Sequence, residues 1–184
     1  MNKTIETILK EQEKLNAAER HATINRETGQ FIHTLIKIKN PKSVLEVGTS
    51  IGYSAVWIAS ALSKGSKLIC IDRWHERAAI AQKFFKRSKL PITLIEGDAL
   101  EVIPTLKTKF DVVFLDATKK DYLNYLKATK LNKNALIIAD NTLSYSPDSK
   151  MRNSEIKMKD FLDYARKSGA ITLNVGSGIT LFTL

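Results

Sequence analysis

Acidic side chains recur at the ends of short apolar runs along this sequence. Glu46 lies inside the first run, and Asp72, Asp98, Asp116 and Asp140 lie at or just after the ends of the next four. If the runs are parallel strands of one sheet, their carboxyl ends meet at one edge, where open α/β sheets bind ligands. We therefore expect an acidic pocket at that edge, suited to a cationic ligand and a metal ion.

A glycine-containing turn follows the first apolar run. Gly48 and Gly52 are four residues apart, with Ser50 between them. A dinucleotide fingerprint needs a glycine at the position of Ser50, so that a pyrophosphate can approach the backbone closely. A phosphate-binding loop needs Gly-Lys-Ser/Thr, which does not follow this turn. Both kinds of site are therefore disfavoured. The pattern suits a ligand without phosphates, with Glu46 binding a cationic group and Asp72 accepting two ribose hydroxyls. An ordinary strand-to-helix turn is the alternative.

Three oxygen-bearing side chains end the fourth and fifth apolar runs. Asp116, Asp140 and Asn141 bring hard ligands and no His or Cys, which favours Mg²⁺, with Mn²⁺ or Ca²⁺ as alternatives. The same residues have plainer interpretations. Asp116 could bind only an organic cofactor, and Asp-Asn pairs are also common in turns.

The elements that must position these residues alternate between strand and helix patterns. Five continuous apolar runs with helical crossovers predict a parallel sheet with helices on both faces. The last two runs are joined by Gly176-Ser177-Gly178, which predicts a hairpin with an antiparallel final strand. The fold class is therefore α/β and Rossmann-like, with a mostly parallel seven-stranded sheet and a C-terminal antiparallel hairpin. The predicted strands are 43–47, 67–72, 92–96, 110–116, 135–140, 171–175 and 179–184, and the predicted helices are 3–20, 26–39, 53–62, 75–87, 99–106, 121–130 and 154–167.

Length and composition indicate a single soluble domain. The chain has 184 residues, a net charge of +10 and one cysteine, Cys70. One cysteine excludes a disulfide framework, and a cytoplasmic location is expected. No apolar run is long enough to span a membrane, and the charged N-terminus does not fit a signal peptide. We expect one domain over 1–184, with a helical extension at 1–25 and a catalytic core at 26–184.

Several stretches together resemble the metal-dependent catechol and caffeoyl-CoA type O-methyltransferases, a class I S-adenosylmethionine-dependent family. The resemblance runs from about Arg26 to the C-terminus and is most specific in the D-A-x-K-x-x-Y and I-x-A-D-N runs. The stretches that carry it are ETGQFI (27–32), VLEVGTSIGYSAVWIA (44–59), IEGDAL (95–100), FDVVFLDATKKDYLNYL (110–126), LIIADNTL (136–143) and GSGITL (176–181).

The resemblance implies a class I methyltransferase fold and a role for each matching residue. It places Asp116, Asp140 and Asn141 as ligands of a divalent metal, with Asp116 also serving catalysis and the cofactor. Lys119 is expected beside the acceptor oxygen, where it could accept or stabilise a proton; a solvated lysine at a helix start is the alternative. The residues expected around S-adenosylmethionine are Glu46, Gly48, Thr49 and Ser54 at its methionine end, Asp72 at the ribose, and Trp74, Asp98 and Ala99 at the adenine.

The sequence departs from the family pattern at Thr118, where the family often has a second Asp. Loss of that charge disfavours acceptors that carry an amine. The loop over 142–153 is modest, so the acceptor pocket is expected to be open or completed by a second subunit in a homodimer. Tyr145 and Arg152 in this loop are candidate substrate contacts.

Three functions compete for this sequence. The leading one is methylation of a small catechol-like or other vicinal-hydroxyl aromatic acceptor. The alternative is methylation of a hydroxylated wobble uridine in tRNA, favoured by basic residues between 64 and 89 that could contact phosphates. The third, a non-catalytic cofactor-binding module, is disfavoured by the intact Asp116, Lys119, Asp140 and Asn141.

Overall fold

The computed structural model describes residues 2–143 and 153–184. These residues form a seven-stranded sheet in the order β3-β2-β1-β4-β5-β7-β6. The strands are β1 (Ser43–Val47), β2 (Lys67–Asp72), β3 (Ile92–Glu96), β4 (Phe110–Leu115), β5 (Leu131–Asp140), β6 (Ile171–Leu173) and β7 (Ile179–Thr183). The helices are α1 (Lys3–Glu19), α2 (Arg26–Lys39), α3 (Tyr53–Ala61), α4 (His75–Ser88), α5 (Ala99–Thr105), α6 (Tyr122–Ala128) and α7 (Asn153–Lys167), and a short 3₁₀ helix at Lys119–Asp121 precedes α6.

The strand directions confirm the predicted mixed sheet. β1 pairs in parallel with β2 and β4, and the parallel pairing extends to β3 and β5. β7 lies antiparallel to both β5 and β6. The carboxyl ends of β1, β2, β3, β4 and β5 therefore meet at one edge, as the sequence predicted.

Helices cover both faces of this sheet because successive strand side chains point to opposite sides. Within β4, Val112 and Phe114 pack in one apolar cluster with residues of α1, α2, α3 and α4. Val113 and Leu115 pack in the other, with residues of α5, α6 and α7. Each face thus has its own core, and the sheet is held rigid between them.

The helix ends follow the local signals in the sequence. The Asn25 side chain accepts a hydrogen bond from the Thr28 N–H at 2.8 Å and begins α2. Asn40 adopts the left-handed conformation immediately before Pro41 and ends it, as predicted. The core side of α2 carries Ile32 and Ile36, whereas Ile38 is 77% exposed.

Four strand boundaries differ from the prediction, and two of them by one residue: β4 ends at Leu115 and β7 ends at Thr183. β5 begins at Leu131 rather than at residue 135, because its polar start pairs with β4 across an irregularity in the register. β6 ends at Leu173 rather than at residue 175. Among the described residues, no helix is both long and apolar enough to cross a membrane.

Candidate active site

A cavity of about 210 Å³ opens at the edge where the parallel strands end. Six of the predicted cofactor residues line it: Gly48, Asp72, Trp74, Asp98, Ala99 and Asp116. Sequence reasoning missed other lining residues, among them Ala22, Ser50, Arg73, Arg77, Thr118 and Tyr125. Ala22 lies between α1 and α2, so a segment outside the predicted catalytic core contributes a wall of the cavity.

The turn between β1 and α3 has an unusual backbone conformation. Gly48, Ser50 and Gly52 all have positive φ, at 93°, 48° and 84°. A Cβ at Gly48 would lie 2.4 Å from the carbonyl oxygen of Asp116, so only glycine fits there. The turn therefore lies directly against the end of β4.

Asp72 holds this turn from the β2 side. Its Oδ2 accepts the N–H groups of Thr49 at 3.0 Å and Ser50 at 2.6 Å. Its Oδ1 accepts the Trp74 N–H at 2.9 Å. Carboxylate oxygens carry two lone pairs each, so Oδ1 retains capacity for a ribose hydroxyl. The carboxylate shapes the turn as well as facing the cavity.

Glu46 lies beneath the turn and is fully buried. The Thr49 hydroxyl donates to its Oε2 at 2.9 Å, while its Oε1 has no hydrogen-bond partner among the described residues. Burial raises the pKa of Glu46 to about 7, although the hydrogen bond from Thr49 opposes this shift. Because the Oε1 atom is buried beneath the turn, the charge of Glu46 could attract a cationic ligand group only without direct contact. Glu46, Thr49 and Ser54 do not themselves line the cavity.

The cavity wall also carries an exposed aromatic ring, Trp74, that lies close to two cations. Trp74 is 55% exposed, with the guanidinium groups of Arg73 and Arg77 at 5.1 and 6.0 Å from its ring centroid. Nearby, the Asp98 Oδ1 accepts the Leu100 N–H at 2.8 Å and so begins α5. A planar ligand group could stack on the exposed Trp74 face.

The three predicted metal ligands lie together at the ends of β4 and β5. The Asn141 Nδ2 lies 3.3 Å from the Asp116 Oδ1 and 2.5 Å from the Asp140 Oδ2. Asp140 is 4% exposed, and its Oδ1 has no hydrogen-bond partner among the described residues. No group of three or more His, Cys, Asp or Glu side chains converges within 2–143 and 153–184. The donor set is thus two carboxylates and one amide.

The electrostatics of this cluster favour a bound cation. Burial is the main cause that raises the pKa of Asp140, to about 7, and repulsion from Asp116 adds to it. Burial also raises the pKa of Asp116, against the attraction of Lys119. The carboxylates of Asp116 and Asp140 repel each other, and a buried carboxylate oxygen without a hydrogen-bond partner costs folding free energy. Because Lys119 supplies only one positive charge, the residues fit a hard divalent metal ion.

Lys119 lies where the prediction placed it, next to Asp116. Its Nζ donates to the Asp116 Oδ1 at 2.8 Å and to the Tyr122 hydroxyl at 2.6 Å. The Tyr122 hydroxyl in turn donates to the backbone oxygen of Asp140 at 3.2 Å. Tyr122 therefore links the lysine to both strand ends. Sequence reasoning assigned it no role, although the D-A-x-K-x-x-Y run contains it.

Asn141 has a left-handed backbone, with φ of 62°, and the C-terminal hairpin braces it. The Thr142 N–H donates to the Gly178 oxygen at 3.0 Å, and the Leu143 N–H donates to the Ser177 oxygen at 3.2 Å. A Cβ at Gly178 would lie 2.4 Å from the Leu143 nitrogen. The hairpin turn thus fixes the backbone that follows the amide. Tyr145 and Arg152, the predicted substrate contacts, lie outside the described residues.

The comparisons with known proteins agree with this geometry. A sequence model of the O-methyltransferase family matches residues 2–183. The chain is 34% identical over 129 residues to a catechol O-methyltransferase of Niastella koreensis, a match that spans 66% of this chain and 58% of that protein. It is 32% identical over 181 residues to caffeoyl-CoA O-methyltransferase 2 of Petunia hybrida, covering 86% of this chain and 75% of the relative.

A solved structure supports both the fold and the family. The O-methyltransferase from Bacillus cereus, in complex with SAH (S-adenosylhomocysteine), superimposes with a TM-score of 0.84 at 26% identity. The alignment covers 100% of this chain and 91% of that one. The class I methyltransferase fold and the family resemblance are both confirmed: the chain belongs to the O-methyltransferase family.

Proposed function

We propose that this protein transfers a methyl group from S-adenosylmethionine to one hydroxyl of a small aromatic acceptor with vicinal hydroxyls, assisted by a divalent metal ion, with Mg²⁺ the preferred ion. The observation that carries the proposal is the cluster of Asp116, Asp140 and Asn141, in which Asp140 is buried and Lys119 is hydrogen-bonded to Asp116. The Niastella koreensis and Petunia hybrida relatives, named for catechol and caffeoyl-CoA, support this acceptor class.

The proposed cofactor site extends from Glu46 to Trp74. When bound, S-adenosylmethionine supplies an activated methyl group on a sulfonium centre. Gly48 gives the ligand access to the backbone of the turn, and Asp72 accepts a ribose hydroxyl at its Oδ1. The Glu46 carboxylate beneath the turn stabilises the positive charge of the methionine end. Trp74 and Ala99 bound the adenine, with Asp98 fixing the start of α5 next to it.

Asp116, Asp140 and Asn141 would hold the metal ion. When bound, such an ion lowers the pKa of a coordinated hydroxyl and orients a vicinal diol. Lys119 is positioned for the proton of that hydroxyl, because its Nζ is fixed between the Asp116 Oδ1 and the Tyr122 hydroxyl. Holding the acceptor oxygen in line with the methyl group supplies much of the rate enhancement.

The unit that carries this activity is proposed to be the whole chain, 1–184, in one cytoplasmic domain. Ile5, Ile8 and Leu9 of α1 and Ile24 pack in the same apolar cluster as residues of the sheet. The helical extension at 1–25 is therefore continuous with the core at 26–184. A homodimer that completes the acceptor pocket stays a prediction.

A tRNA acceptor is the alternative, and the basic stretch gives it little support. Arg87 forms a two-pronged ion pair with Glu11, and the Lys67 Nζ donates to the Thr108 hydroxyl at 3.2 Å. Arg73 and Arg77 lie against Trp74 at the cavity mouth. Four of the basic side chains in this stretch are thus engaged in separate local contacts.

One assay separates these acceptors. Transfer of a labelled methyl group is measured with Mg²⁺ to catechol, to phenol and to tRNA. The proposal expects methylation of catechol, with phenol as the matched control that lacks the second hydroxyl and stays unmethylated. Equal rates on phenol and catechol, or transfer to tRNA alone, would contradict the proposed acceptor class.

A further inference from the structure

Helix α1 reaches the turn between β1 and α3 through a buried glutamine. Gln12 is 0% exposed, and its Nε2 donates to the carbonyl oxygen of Ile51 at 2.9 Å. Ile5, Ile8 and Leu9 bury the same face of the helix. The apolar residues thus dock α1, while the amide makes a directed contact with the turn.

The neighbouring residue of α1 contacts the other side of Gly52. The Tyr53 hydroxyl donates to the Glu13 Oε1 at 2.6 Å. The Arg26 Nη1 donates to the same oxygen at 2.7 Å and holds the carboxylate in place. Gln12 and Glu13 therefore contact the residues that flank Gly52 on either side.

The turn needs such contacts because its backbone is strained. Ser50 has φ of 48°, a conformation that non-glycine residues adopt at a cost and keep only where their surroundings enforce it. From the β2 side, Asp72 accepts the N–H groups of Thr49 and Ser50. From the opposite side, Gln12 donates to Ile51. The turn is held between a strand carboxylate and a helix amide.

We propose that Gln12 is a positioning residue for the cofactor: its amide fixes the Ile51 carbonyl and so the conformation of the 48–52 turn, which couples the docking of α1 to cofactor binding. The inference rests on the proposed binding of S-adenosylmethionine. Coupling is reciprocal, so the bound cofactor must also stabilise the docked helix. Ala22, which follows α1 and lines the cavity, gives the helix a second connection to the ligand.

A variant of Gln12 separates positioning from simple packing. Gln12→Met keeps the length and apolar body of the side chain and removes its N–H donor. It also removes the Oε1 atom, which is buried without a hydrogen-bond partner among the described residues. Removing the unpaired Oε1 stabilises the fold, and losing the hydrogen bond to the Ile51 oxygen destabilises it. Because the two effects offset each other, we expect the ligand-free variant to melt close to the ligand-free wild type.

Binding of S-adenosylhomocysteine, measured by titration calorimetry without acceptor or metal, is the primary readout. We expect Gln12→Met to raise Kd about fivefold, the effect of one net hydrogen bond. The matched control is Glu11→Gln, which breaks the ion pair of α1 with Arg87 on α4 but touches no part of the turn. Its Kd should equal that of the wild type. In turnover assays, Gln12→Met should raise KM for the cofactor and leave kcat within twofold.

Hydrogen exchange of the wild-type protein is the second readout and does not depend on the variant folding. Added S-adenosylhomocysteine should slow amide exchange across 3–19 as well as in the 48–52 turn. Unchanged exchange in α1, or a Gln12→Met Kd equal to that of the wild type, would overturn the positioning role. Equal weakening by Glu11→Gln would overturn it too. Wild-type protein that binds no S-adenosylhomocysteine would instead contradict the proposed function.

Discussion

The buried carboxylate of Asp140 should destabilise the fold when no metal is bound. Its side chain is 4% exposed, it faces Asp116, and its Oδ1 has no hydrogen-bond partner among the described residues. Asp140→Asn keeps the size and shape of the side chain and removes the charge. The amide can still place its oxygen toward the Asn141 Nδ2, which donates to Asp140 in the structure.

The size of the effect follows from the pKa of Asp140, which burial and the repulsion from Asp116 raise from 3.8 to about 7. A change of one in pKa corresponds to about 1.4 kcal/mol. Ionised Asp140 therefore costs the metal-free fold about 4 kcal/mol at pH 8, where both the folded and unfolded chains have lost the proton. As pH falls from 7 toward 4, the folded protein takes up the proton first, so the cost shrinks and then disappears.

Urea unfolding with a chelator at pH 8 and at pH 4 measures this cost directly. At pH 8, Asp140→Asn should raise the free energy of unfolding by up to about 4 kcal/mol, and at pH 4 the two proteins should be equally stable. Added Mg²⁺ should stabilise the wild type, by about 2.7 kcal/mol at 100 times Kd, and leave the variant unchanged. A variant that is less stable than the wild type at pH 8 in chelator would refute the reasoning.

Three further predictions concern other residues. Burial lowers the pKa of His33 below 6.5, so stability should be lost as pH falls below 6.5 toward that lower value, and thermal melts of His33→Gln should lack this loss. Gly29→Ala places a Cβ 2.3 Å from the Trp57 Nε1, so urea unfolding should show a loss of about 1–3 kcal/mol despite the better helix propensity of alanine. Lys119→Met should lower kcat about 100-fold and leave the binding of S-adenosylhomocysteine unchanged. Tyr122→Phe removes only the hydroxyl that contacts Lys119, so it should lower kcat less. A Lys119→Met variant with the kcat of the wild type would exclude the role of Lys119 in proton transfer.

The sheet was predictable because its strands are continuous apolar runs. The bounds of β1, β2 and β3 match the prediction; β1 is buried along its whole length, β2 is buried after Lys67, and β3 is only partly buried. The start of β5 was not predictable, because the polar residues Asn132, Lys133 and Asn134 are typical of a loop. They belong to the strand only because β5 pairs with β4 across an irregularity in the register. Neighbouring strands decide such a boundary, and the local sequence does not reveal it.

The site was predictable where chemistry and strand ends coincide. Asp116, Asp140 and Asn141 lie at consecutive strand ends, so their convergence followed from the topology. The contact between Gln12 and Ile51 spans 39 residues and joins a helix to a loop, so no local pattern indicates it. The hydrogen bonds from the turn's N–H groups to Asp72 could not be predicted either, because they depend on the strained backbone conformation of Ser50.

Methyl transfer to catechol in the presence and absence of a chelator tests the central claim most directly. With labelled S-adenosylmethionine and Mg²⁺, the wild type should methylate one catechol hydroxyl, and a chelator should abolish transfer while S-adenosylhomocysteine still binds. Asp140→Asn should remain folded and inactive with Mg²⁺. Full-rate transfer in chelator, or an Asp140→Asn variant as active as the wild type, would contradict a metal-assisted mechanism at Asp116, Asp140 and Asn141.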